Sequence, residues 1–163
     1  MKVVVSDTST VSNLIVIEEL HLLKDIYGGV IIPPAVHSEI LALRALGKNI
    51  ESFTNASWIE LVNPDKNWIT EIERFNLDKG ETQAIALCKT INADLLLIDE
   101  KLGRALAKDL GISTTGLLGT LVKAKNAGKI KSVKVIMDSL KDKAGFWITD
   151  SLYTEVLKLC KEL

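Results

Sequence analysis

The sequence predicts an α/β domain around a mostly parallel sheet. Short β-branched apolar runs recur along the chain, and most are followed by a stretch whose apolar residues repeat with helical spacing. No internal repeat, low-complexity tract or linker interrupts the 163 residues, so one domain over residues 1–163 is expected.

The elements follow in order. "KVVVSD" is a buried strand that ends in a carboxylate, Asp7. "TVSNLIVIEELHLLKDIYGG" reads as one helix stopped by Gly28 and Gly29. "VIIPP" is a second strand, and Pro34 suits the first turn of the helix "AVHSEILALRAL". There Val36, Ile40 and Leu43 form one apolar stripe. "WIELV" is a short strand and "NPDKNWITEIERFNL" a helix. "DKGETQAIALCKTIN" is helical, with Ala84, Ile85, Cys88 and Ile91 on one face. "ADLLLID" is a buried strand ending in Asp99, followed by the helix "EKLGRALAKDLG" closed by Gly111. "IST" is a minimal strand and "GLLGTLVKAKNAG" a helix; two more helices are expected near 132–143 and 150–162.

Composition narrows the function classes. Hydrophobic residues make up 47% and charged ones 25%, an ordinary globular balance. The net charge of −1 excludes polyanion binding by the chain as a whole, so any nucleic-acid contact needs a local basic patch. Cys88 and Cys160 lie in no CxxC, which argues against zinc and for a reduced, cytoplasmic protein. No apolar run reaches the roughly 18 residues of a membrane span, and "MKVVVSD" lacks the features of a signal peptide.

Parallel sheets carry their sites beyond the carboxyl ends of strands, where strand order reverses. That rule points to Asp7 and Asp99. Each is also a natural helix cap, although Thr8, Ser9 and Thr10 compete with Asp7 for that role. Asp78 and Glu81 have the spacing of a capping box. Yet Glu81 precedes Ala84, Ile85 and Cys88 by three, four and seven residues, on the stripe that faces the sheet. A carboxylate aimed inward requires a partner or a metal. Glu39, between Val36 and Leu43, lies on or beside another apolar stripe, where its head can also reach water. All four acids sit at strand ends or early helix turns along one edge of the sheet and can converge. Clustered carboxylates repel unless a cation sits between them, and all-oxygen ligation selects Mg²⁺ or Mn²⁺. Such ions activate water for attack at phosphorus.

With "SDTS" at Asp7, "PPAVHSEI" at Glu39, "KGETQAIALC" at Glu81 and "DLLLIDEKLGRALAKDLG" at Asp99, the chain resembles PIN-domain proteins over nearly its whole length. "GLLGTLVKAKNAGKI" and "FWITDSLY" resemble a branch common in bacteria and archaea. The resemblance implies a three-layer α/β/α sandwich and a ribonuclease site dependent on Mg²⁺ or Mn²⁺. Asp7, Glu39, Glu81 and Asp99 match the family's four acids, with Thr8 and Ser9 as hydroxyl neighbours. The third acid is often Asp, so Glu81 lengthens one arm of the site. The resemblance also implies an RNA substrate. Because many relatives are toxins of toxin–antitoxin pairs and dimers are common, it further implies an antitoxin or other inhibitor protein and a homodimer. A PIN-like module that binds RNA or protein without cleaving it is the alternative.

The remaining polar residues carry weaker signals. Glu100 fits either a further ligand or the first turn of the following helix, and Asp150 a helix start with Thr149. Lys101 and Arg104, after Asp99, and Lys123 and Lys125, in a lysine run to Lys134, are candidate RNA contacts or a solvated face. Trp58, Trp68 and Trp147 are expected in the core or an interface rather than as base-stacking platforms, and neither His21 nor His37 is placed as a general base. A nucleotide-binding fold is disfavoured because neither GxGxxG nor GxxxxGK[ST] occurs.

Overall fold

A computed structural model describes residues 2–163. Five strands, β1 (Val4–Ser6), β2 (Val30–Ile32), β3 (Ile59–Leu61), β4 (Leu95–Leu97) and β5 (Thr114–Thr115), form one sheet in the order β3-β2-β1-β4-β5. Every pairing is parallel. The chain builds outward from β1 to β3, then crosses back to place β4 on the other side of β1. The strand order therefore reverses between β1 and β4, which pair Val4 with Leu95, Val5 with Leu96 and Ser6 with Leu97. Asp7 continues that register by donating its N–H to the Leu97 carbonyl at 2.9 Å.

Alternation along the short strands divides the core in two. Val4, Val30, Ile32 and Leu97 face one layer. It is formed by α1 (Thr8–Val16), α2 (His21–Tyr27), α3 (Pro34–Leu41), α8 (Leu117–Asn126), α9 (Val133–Lys143) and α10 (Asp150–Leu159). Val5, Leu96 and Ile98 face the other, formed by α5 (Lys66–Glu73), α6 (Lys79–Ile91) and α7 (Lys101–Asp109). The result is the three-layer sandwich that the resemblance implies. Among the described residues no helix is long and apolar enough to cross a membrane.

Three elements differ from the sequence reading. The long first helix is two helices, α1 and α2. Glu18 adopts a left-handed φ of 60°, and its N–H and that of Glu19 close α1 on the carbonyls of Ile15 and Leu14. The break buries both Ile17 and Leu20, and that burial offsets the strained backbone. The helix after Pro34 tightens into a 3₁₀ turn over Ala42–Leu46 that ends at left-handed Gly47, and a short helix α4 (Glu51–Thr54) follows. The last strand is shifted from "IST" to Thr114–Thr115. Pro34 is at the first turn of α3 and Gly28 closes α2 with φ of 79°, as their residue types predict.

Candidate metal centre at the carboxyl edge of the sheet

Asp7 follows β1 and occupies the cap position of α1, yet its side chain makes no capping hydrogen bond. It is only 5% exposed. Burial, opposed by the Thr8 N–H and reinforced by repulsion from Asp78, Glu39 and Asp99, pushes its pKa up to about 7. The next two residues on α1 reach the neighbouring acids. Thr8 donates its hydroxyl to Glu39 Oε2, and Ser9 donates to Asp99 Oδ2 at 3.3 Å. A single helical turn thus ties together acids that arrive from α3 and β4.

Glu39 projects from α3 over the backbone of Gly80, the second residue of α6. A Cβ on Gly80 would lie 2.7 Å from Oε2 and 2.9 Å from Oε1 of Glu39. The absence of a side chain there lets α3 and α6 close together, and Gln83 Oε1 accepts the Ala35 N–H at 2.8 Å across the same pair of helices. Glu81, one residue on, is buried in the first turn of α6. Its backbone N–H donates to Asp78 Oδ1 at 2.7 Å, the forward bond of the predicted capping box. Burial and the adjacent Asp78 carboxyl, with further repulsion from Asp7 and Glu100, push the Glu81 pKa up to about 8.

Asp99 does not cap its own helix. Glu100 does so, accepting the Gly103 N–H at 2.9 Å. This leaves Asp99 free to accept the Leu117 N–H at 2.9 Å, so its carboxylate sits at the start of α8 rather than α7. Gly116 makes room for it, because a Cβ at that position would fall 2.5 Å from Asp99 Oδ1 and 3.4 Å from Arg104 Nη1.

The structure therefore gathers Asp7, Glu39, Glu81 and Asp99 at the strand-order reversal, and adds two acids. Asp78 repels Asp7 and Glu81 directly; its helix-cap signature concealed that second role. Glu100, read as a first-turn residue, is a cap that also faces Glu81. Among the described residues none of these six carboxylates is in an ion pair. Nor do any three His, Cys, Asp or Glu side chains stand close enough, as arranged, to hold one metal ion. The donor chemistry fits a hard divalent cation: oxygen ligands only, two of them buried with raised proton affinity, and no ion pair among the described residues to balance them. Gathering three around one ion requires side-chain rotation from the arrangement seen.

The basic candidates separate into two pairs. Lys101 and Arg104 are on α7, which starts beside Asp99. Lys123 and Lys125 are at the far end of α8 from its contact with Asp99. Lys123 lies over the Tyr27 ring, 4.8 Å from its centroid, at the amino edge of the sheet. Lys125 bonds Glu162 at 3.1 Å and the Lys131 carbonyl. Both are engaged in holding helices together, away from the acids. Trp58 and Trp68 pack against the two cores. Trp147, expected in the core or an interface, is 81% exposed in this chain.

An all-parallel sandwich with acids massed at its strand-order reversal belongs to the α/β proteins that place a polar site at the carboxyl edge of the sheet. The model of a PIN-domain family matches residues 3–162, and the chain belongs to that family. PIN domains are in general nucleases and typically use divalent metals. No curated protein matches the chain.

Proposed function

We propose that this protein is a Mg²⁺- or Mn²⁺-dependent ribonuclease in which Asp7, Glu39, Glu81 and Asp99 hold the metal. The observation that carries the reading is a set of six gathered carboxylates without an ion pair among the described residues, two of them with strongly raised pKa values. Such an arrangement costs folding free energy unless a cation relieves it. RNA as the substrate class is what the family resemblance implies. A bound divalent ion would polarise a phosphodiester and lower the pKa of a water for attack at phosphorus. The chain's own residues supply the rest. Thr8 and Ser9 orient Glu39 and Asp99 from one helical turn, the α8 N-terminus fixes Asp99, and Gly80 and Gly116 keep space around two of the carboxylates. Arg104, beside Asp99 and in no ion pair among the described residues, is a cation available to an incoming phosphate.

A non-catalytic RNA- or protein-binding module is the second reading, favoured by the lack, among the described residues, of three acids already poised around one point. A paired measurement separates them. Mn²⁺ at about 100 times its Kd should stabilise the protein by roughly 2.7 kcal/mol in a thermal melt, and mixed single-stranded RNA should be cleaved only with the metal present. A melt that responds to Mn²⁺ without cleavage supports the module. A melt indifferent to Mn²⁺ and chelator ends both the metal site and the nuclease.

A further inference from the structure

A groove of about 590 Å³ opens directly from the Asp99 carboxylate. Arg104 lines it beside Asp99, and Gly116 and Gly119 lie along α8's side of it. Leu118, Val122, Phe146 and Trp147 make much of the remainder apolar, and Glu155 also lines it. Resting on the ribonuclease reading above, we propose that this groove is a nucleotide subsite. Arg104 takes the phosphate next to the one being cleaved, and Trp147 stacks the base of that nucleotide.

Four observations support this occupant. The groove and the acids share Asp99, so a nucleotide lying in it is next to a phosphate brought to the carboxylates. The lining is uneven in charge: Arg104, on α7 beside Asp99, attracts a phosphate, whereas Glu155, on α10, repels one. A nucleotide is therefore oriented with its phosphate toward Asp99 and its base toward the aromatic part. Trp147, at 81% exposure, is the most exposed large hydrophobic side chain among the described residues, with its ring surface available for stacking. Finally, Arg104 also lines a second depression of about 620 Å³ with Lys108, on the outer side of α7 beside β5. The phosphate track thus continues past the subsite instead of ending at one residue. Leu152 and Leu159, also in the lining, would suit a protein occupant as well, and the test includes that outcome.

Binding is measured by fluorescence polarisation on cleavage-blocked Asp7→Asn protein with Mn²⁺, using short fluorescein-labelled oligouridylate and the same oligomer carrying abasic positions. Trp147→Ala should weaken binding of the intact oligomer about tenfold and leave the melting temperature unchanged. Trp147→Phe should recover most of the loss. Removing bases from the probe should abolish the difference between Trp147 and its alanine variant. Arg104→Gln should weaken both probes alike and reduce the salt slope by about one counterion. Unchanged affinity in Trp147→Ala overturns the subsite. So does a shift in oligomeric state with RNA affinity intact, which would assign the groove to a second protein chain. In either case the ribonuclease reading stands if wild-type protein still cleaves RNA with Mn²⁺. If wild-type protein neither binds nor cleaves RNA while Mn²⁺ raises its melting temperature, the ribonuclease reading falls and the subsite falls with it.

Discussion

At Glu162 one carboxylate meets four donors: the N–H groups of Val133 and Lys134 at 2.7 and 3.1 Å, the Ser132 hydroxyl at 2.9 Å and the Lys125 ammonium at 3.1 Å. Burial works against its charge, but these donors outweigh it and hold the pKa down at about 2. At the carboxyl edge of the sheet the ratio is reversed. Six carboxylates share a few hydroxyls and backbone N–H groups, and no lysine or arginine pairs with any of them among the described residues. Asp7 and Glu81 rise to about 7 and about 8. The same functional group therefore stabilises the fold at one site and strains it at the other. Glu162 staples the chain's last turn to the start of α9. The edge acids lack such donors, and their burial and mutual repulsion work against the fold.

The largest expected effect breaks the strained side of this comparison. Asp7→Asn keeps the shape and hydrogen-bonding capacity of the residue but removes its charge. Metal-dependent RNA cleavage should fall on the order of a hundredfold or more, since metal stabilisation of charge contributes several kcal/mol. In chelator the variant should melt at or above the wild-type temperature, because a repelled, buried charge has gone. Wild-type cleavage rates in this variant would remove Asp7 from the site.

The opposite result is expected at the satisfied acid. Glu162→Ala leaves the Val133 and Lys134 N–H groups, Ser132 and Lys125 without their shared acceptor. It should cost about 2–3 kcal/mol in urea unfolding, in line with the loss of charge-assisted hydrogen bonds. The stabilisation by Mn²⁺ should be unchanged. A smaller Mn²⁺ response in this variant would mean the two regions are coupled, and the contrast between them would fail.

pH sharpens the same contrast because the two shifts have opposite signs. Asp7 and Glu81 have folded pKa values above their unfolded ones, so protonation favours the folded form. The penalty at the edge should shrink as pH falls through about 8 and about 7. Glu162 lies below its ordinary 4.5, so its contribution is present above that value and fades as pH falls toward about 2. Melting temperature in chelator should therefore peak at about pH 5–6. Asp7→Asn should flatten the alkaline limb and Glu162→Gln the acid limb. A peak at pH 8 or above would contradict the raised values at the edge.

These two regions were not equally visible in the sequence. The edge acids were legible because apolar strands end at Asp7 and Asp99, and because Glu81 interrupts an inward-facing stripe. Both are local patterns with a physical meaning. Asp78 was read only as a cap, since one carboxylate can satisfy a helix N-terminus and still repel its neighbours. Glu162 gave no signal: its partners are about 30 residues away in sequence, and a tertiary bond of that kind has no periodicity. The break at Glu18 was hidden for a related reason. No Gly or Pro marks it, and only the packing of Ile17 and Leu20 selects the left-handed turn. Lys123 and Lys125 read as a basic run because charge pattern does not reveal that one lies on Tyr27 and the other is consumed by Glu162.

The smallest expected effect lies within α1 itself, where three consecutive hydroxyl residues have different fates. Thr8 and Ser9 bond Glu39 and Asp99, while Thr10 is fully buried and its Oγ1 has no hydrogen-bond partner among the described residues. An unpaired buried hydroxyl is destabilising, and valine fills nearly the same volume without it. Thr10→Val should therefore be neutral or stabilising by up to about 1 kcal/mol in urea unfolding, with Mn²⁺-dependent cleavage unchanged. Thr8→Val, the matched substitution two residues earlier, should impair cleavage, because Glu39 loses the donor that orients it. If Thr10→Val instead impairs cleavage as Thr8→Val does, then Thr10 serves the site too. All three hydroxyls would then belong to the strained edge, and the whole first turn of α1 would count with it.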